Sequence, residues 1–139
     1  RAWHNPGLHG SPGGRMKFLL LIYTDDTLLE ALPAGAFDQM MHGCITHADK
    51  LKAQGTLLES QQLEHGSTAR TVRVRDGRTQ VVDGPFAETK EILGGYNLIE
   101  ADSLDEAVKI AQEFPWIGTG SIEVRPVRDF EAVRRRVGA

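Results

Sequence analysis

Residues 71–91, TVRVRDGRTQVVDGPFAETKE, carry the reading that decides the fold. Two β-favouring runs, Thr71 to Arg75 and Arg78 to Val82, flank Asp76-Gly77. Both central positions of a two-residue hairpin turn need positive φ, and Asp-Gly supplies them cheaply, so the spacing predicts a hairpin. Val82 then runs into Asp83-Gly84-Pro85-Phe86. Gly accepts unusual backbone angles and Pro removes a donor, so the strand must stop there, with the Asp83 carboxylate at its tip.

Working outward, Lys17 to Tyr23 is a short apolar run followed by turn residues, a buried strand. Ala36 to Gln54 has the 3-and-4 spacing of a helix through Phe37, Met40, Met41, Cys44, Ala48 and Leu51, and Gly55 stops it. Thr56 to Leu63 holds a second, more polar strand. Leu93 to Ala101 is another, with Gly94-Gly95 as a bulge or a point of close approach. Ser103 with Glu106 forms a capping box that opens a helix whose inner face is Leu104, Ala107, Val108 and Ala111, with Pro115 at its end. Ser121 to Val127 is the last strand.

The order strand, helix, strand, hairpin, strand, helix, strand predicts an α+β ferredoxin-like sandwich with an inserted hairpin and both helices on one face. A small sheet with an open face is usually covered by a second copy, so a homodimer of the dimeric α/β-barrel type is expected.

The 139 residues allow a single domain, expected over 16–139. Residues 1–15 are rich in Gly, Pro and His without apolar periodicity, and read as an added, disordered leader ahead of a start at Met16. Setting its two arginines aside moves the formal charge from -3 to about -5. An acidic chain binds nucleic acid poorly, and the basic triplet Arg134-Arg135-Arg136 reads as a solvated helix end. No run is long enough for a membrane span, and a lone Cys44 fits a reducing, cytoplasmic setting. No metal-ligand spacing or phosphate loop appears, so no cofactor is expected.

Candidate chemistry rests on His47 and Asp83. At about 100° per residue from Phe37, His47 falls near 280°, at the rim of the apolar stripe, whereas His42 falls near 140°, facing solvent. A half-packed His beside a carboxylate makes a general acid or base. The plainer alternatives are a structural His47 and an Asp83 spent on Arg70, its partner if the Asp76-Gly77 turn has no bulge. His65, in a loop before Gly66, carries little information. Tyr23, Phe86, Tyr96 and Arg125 are weaker substrate-binding candidates, and a salt bridge to Glu123 or Glu100 is an alternative use of Arg125.

Several stretches together resemble the YCII-related family, in its branch of DGPF-domain proteins. They are Met16 to Tyr23 (MKFLLLIY), His47 to Gly55 (HADKLKAQG), Thr71 to Arg73, Asp83 to Glu91 (DGPFAETKE), Gly94-Gly95-Tyr96 and Ile122 to Val127 (IEVRPV). The resemblance implies a ferredoxin-like fold that dimerises, and an interest in one His and one Asp, which map onto His47 and Asp83. It also implies association with sigma-70-type transcription factors in some members. Two functions therefore stand as expectations. One is an acid-base enzyme (isomerase, lyase or hydrolase) acting on a small anionic organic substrate. The other is a non-catalytic ligand-sensing or protein-binding module, with a sigma factor as a possible partner.

Overall fold

The computed structural model describes residues 15–86 and 89–139. The expected leader and the Ala87-Glu88 part of the DGPF run lie outside the described residues, except for Arg15, whose guanidinium donates to the Glu100 carbonyl at 2.7 Å.

The chain runs β1 (Met16–Asp25), α1 (Asp26–Glu30), α2 (Ala36–Ala53), β2 (Leu57–Gln62), β3 (Arg70–Arg75), β4 (Arg78–Asp83), β5 (Glu91–Ala101), α3 (Leu104–Gln112), β6 (Gly120–Pro126) and α4 (Phe130–Val137). Single 3₁₀ turns sit at Gly66–Thr68 and Pro115–Gly118. The main sheet has the order β2-β5-β1-β6 and is antiparallel throughout, while β3 and β4 form a separate two-stranded sheet. The architecture is α+β.

Period-2 alternation assigns the faces. Phe18, Leu20 and Ile22 of β1 and Ile99 and Ala101 of β5 are buried toward α2 and α3, where Cys44, Leu51, Ala107 and Ala111 meet them. Leu19, Leu21 and Tyr23 point to the opposite face, beside Leu98, Tyr96, Glu123 and Arg125. The α3 capping box forms as expected: the Glu106 backbone N–H donates to Ser103 Oγ at 3.1 Å, and Glu106 Oε1 accepts from the Asp102 N–H at 3.3 Å. Its inner face differs from the expected one. Leu104 and Val108 are exposed, and Ala107 and Ala111 are buried with Ile110 packed beside them, so the face is turned toward Ile110.

The hairpin turn has φ of 53° at Asp76 and 74° at Gly77 and no bulge, which sets Arg70 opposite Asp83. The sequence left one element unread and gave only the end of another, the basic triplet Arg134-Arg135-Arg136. The turn residues after β1 form α1, with Asp25 as its cap, and α4 ends in a left-handed Gly138.

Gly120 marks the tightest approach in the sheet: a Cβ there would lie 1.9 Å from the Tyr23 carbonyl oxygen, whereas a Cβ at Gly118 meets nothing within 4 Å. Gly120→Ala is expected to destabilise the protein by about 1–3 kcal/mol, as over-packing does. Gly118→Ala is expected to stay within about 0.5 kcal/mol of the parent. Urea unfolding monitored by circular dichroism checks both.

Candidate functional site

The cleft between α2 and the inner sheet face has a volume of about 400 Å³, in the range of small-molecule sites. Its apolar wall is built by Ile22, Phe37, Met41, Cys44, Phe114 and Trp116. The Phe37 and Trp116 rings meet edge to face at 6.5 Å, which holds the first turn of α2 against the Pro115–Gly118 turn. Phe37 remains 41% exposed, so its ring lines the opening rather than the core.

Polar groups enter at two places. At the mouth, Asp26 opens α1 and His65 opens the Gly66–Thr68 turn, and His65 Nε2 lies 2.8 Å from Asp26 Oδ2. The Ser67 backbone N–H points at His65 Nδ1 at 3.1 Å. That nitrogen is therefore the acceptor, and Nε2 carries the proton donated to Asp26. Ser67 Oγ lies 2.9 Å from Nδ1 but does not line the cleft, so the serine braces the ring and has no access to a ligand as a nucleophile. Both partners of the His65–Asp26 pair are about half exposed, so its contribution to stability is small.

Deeper in, Asn97 of β5 is 3% exposed and lines the cleft. Its strand partner Ser60 also lines it. Asp26, Glu64 and His65 are the charged or titratable polar residues on the lining, and no Lys or Arg joins them among the described residues.

The expected pair is placed differently. His47 packs edge-on against Phe114 with ring centroids 4.4 Å apart. Its Nε2 is buried without a hydrogen bond, 3.8 Å from Glu113 Oε1. Asp83 is exposed at the hairpin end, with Oδ1 3.0 Å from Arg70 Nε. No hydrogen bond or ion pair joins His47 to Asp83, and neither lines the cleft.

Tyr23, Tyr96 and Arg125 share the outer sheet face, away from the cleft. Tyr23 Oη donates to Glu123 at 3.5 Å. Arg125 is bound to Glu123, the pairing foreseen as its alternative. Tyr96 Oη donates to Glu59, and that carboxylate pushes the phenol's pKa up. Phe86 is exposed past the hairpin.

Sequence reasoning passed over His65, Asp26 and Asn97. The loop and turn settings of the first two gave no periodicity to read. Asn97 did leave a signal, since it occupies an inward position in the alternation that buries Ile99 and Ala101.

Among the described residues no group of His, Cys, Asp or Glu is arranged to hold a metal, and no helix is long and apolar enough to cross a membrane. The Cys44 thiol, buried on the cleft wall, is pushed up to about 11 by burial, partly offset by a hydrogen bond with the Trp116 backbone. Burial favours the neutral thiol, so the thiolate appears only as pH climbs toward that value. Alkylation by iodoacetamide is expected to stay slow through about pH 9 in the folded protein and to become fast in urea. Mass-spectrometric time courses check this.

The sequence model of the YCII-related domain matches residues 16–131. The chain is also 37% identical over 114 residues to an uncharacterized protein of Rhizobium meliloti (strain 1021), covering 81% of this chain and 92% of that protein. With a match that spans the sheet, both packed helices and the hairpin, this chain belongs to the YCII-related family.

Proposed function

We propose that this protein binds a small organic molecule in the cleft between α2 and the inner sheet face, with Asp26 as a proton acceptor at its mouth. The observation that carries the reading is the His65–Asp26 pair, 2.8 Å apart, on the rim of a cavity of about 400 Å³ with an aromatic wall. The His65 N–H fixes Oδ2 and leaves Oδ1 for a ligand proton. Ser67 in turn fixes the ring, so the carboxylate is oriented before anything binds. The reading keeps the His and Asp chemistry anticipated from the sequence and moves it from His47 and Asp83 to His65 and Asp26. An anionic substrate is disfavoured, because the lining holds two carboxylates and no Lys or Arg among the described residues.

The strand order β2-β5-β1-β6 with α2 and α3 on one face supports the ferredoxin-like description. The half-buried Leu19, Leu21 and Leu98 on the other face support a homodimer closed across it. The exposed Val72, Val74 and Val81 on one face of the hairpin favour protein binding as a second role.

A fluorescence-based thermal-shift screen of neutral aromatic and heteroaromatic compounds tests the cleft. Binders are expected to raise the Tm of the parent protein but not of Ala48→Phe, which fills the cavity. Asp26→Asn should retain binding and lose any conversion of the bound compound, followed by mass spectrometry. Equal shifts in the parent and Ala48→Phe would place binding elsewhere and sink the reading. For the dimer, sedimentation velocity should give twice the mass of one chain, falling to one chain in Leu21→Lys.

A further inference from the structure

Asn97 is the group in the cleft whose position is hardest to explain by folding alone. It is 3% exposed, at an inward-facing position on a central strand. Its carboxamide forms no hydrogen bond with another protein group among the described residues. The residue as a whole is enclosed, yet its amide atoms stay open to the solvent of the cleft, whereas an apolar residue there would extend the packing of Ile99 and Ala101. Ile22, Cys44, Phe114 and Trp116 line the same space, together with polar residues that include Thr24, Gln61 and Gln62. Ser60 lines the cleft from the neighbouring strand, where it is exposed.

We propose that Asn97 reads the ligand, and that the ligand is a neutral, flat, largely apolar molecule carrying an amide-type edge: a lactam, pyridone or carboxamide. The inference rests on the cleft reading above and narrows it. A primary carboxamide presents an N–H donor beside a C=O acceptor, so its full complement is a group presenting the same pair in reverse. An alcohol or ketone satisfies only part of it. A carboxylate offers no donor, and it would enter a cavity that carries Asp26 and Glu64 without a basic partner. The aromatic wall of Phe37, Phe114 and Trp116 suits a planar body, and the volume admits one or two fused rings. The aromatic and aliphatic part of the lining offers a ligand no hydrogen bond, so a ligand that pairs with the Asn97 carboxamide gains over an analogue that covers it without pairing.

The probes are 2-quinolone, naphthalene and 2-naphthoate, titrated by NMR into the ¹⁵N-labelled full chain and into Asn97→Leu and Asn97→Ser. The expected result is saturable binding of 2-quinolone, with a shift of the Asn97 side-chain amide pair and an affinity at least about tenfold above naphthalene. Both variants should bind the two compounds alike. Three results would overturn the assignment: 2-quinolone and naphthalene binding equally to the parent, the quinolone preference surviving in either variant, or 2-naphthoate binding as tightly as 2-quinolone. In each of those cases the cleft itself would still be a binding site. If no probe binds, or binding persists in Ala48→Phe, the cleft reading falls together with the assignment.

Discussion

The bulge at Gly94 is the constraint on which the cleft depends. Along β1 and β5 the pairing steps from Ile22 opposite Gly95 to Tyr23 opposite Leu93, so Gly94 has no partner of its own. A one-residue step reverses the facing of every side chain beyond it. It turns Ile92 toward the cleft and sets Leu93 opposite the outward Tyr23. The freed Gly94 carbonyl accepts from the Leu63 N–H at 2.8 Å, which ties down the start of the loop carrying His65. Gly66 then sits so close over Ile92 that an added Cβ would come within 3.0 Å of Cγ2. The loop is held over the cavity by backbone geometry, and His65 reaches Asp26 as a consequence.

A second constraint comes from the closeness of strands at small residues. A Cβ at Gly95 would lie 2.8 Å from the Gln61 carbonyl, just as Gly120 leaves no room beside Tyr23. These glycines draw β2 and β6 tight against the central strands. The stiff sheet forms one wall of the cleft, and α2, fastened by Phe37 on Trp116, forms the other. Asn97 places a carboxamide in that wall where the neighbouring inward positions, Ile99 and Ala101, are apolar, the kind of local departure that marks functional sites.

The two faces of the sheet divide the polar chemistry. The inner face is apolar apart from the cleft. The outer face carries local pairs, Glu123 with Arg125 and Glu59 with Tyr96, with leucines between them. Such pairing suits a surface that meets another surface better than one that must leave a charge free for a ligand. The hairpin stands apart from both, with Asp83 consumed by Arg70 and its valines turned outward.

The amino-acid sequence by itself determined the strands, the two packed helices and the hairpin, because period, caps and the Asp76-Gly77 turn are local signals, while the structure decided the hairpin register. It marked Gly94-Gly95 as a bulge or close approach for the same reason, and left Arg125 between a ligand and a carboxylate at Glu123 or Glu100. It did not reveal α1, since Thr24, Asp25 and Asp26 resemble a plain turn until Asp25 is seen accepting from Thr27 and Leu28. Nor did it reveal the candidate site. His65 and Asp26 are 39 residues apart, and only the fold of the loop over the Gly94 bulge brings them within 2.8 Å. Tertiary structure alone decided which His met which Asp, because that meeting depends on non-local packing and not on the spacing of either residue along its own element.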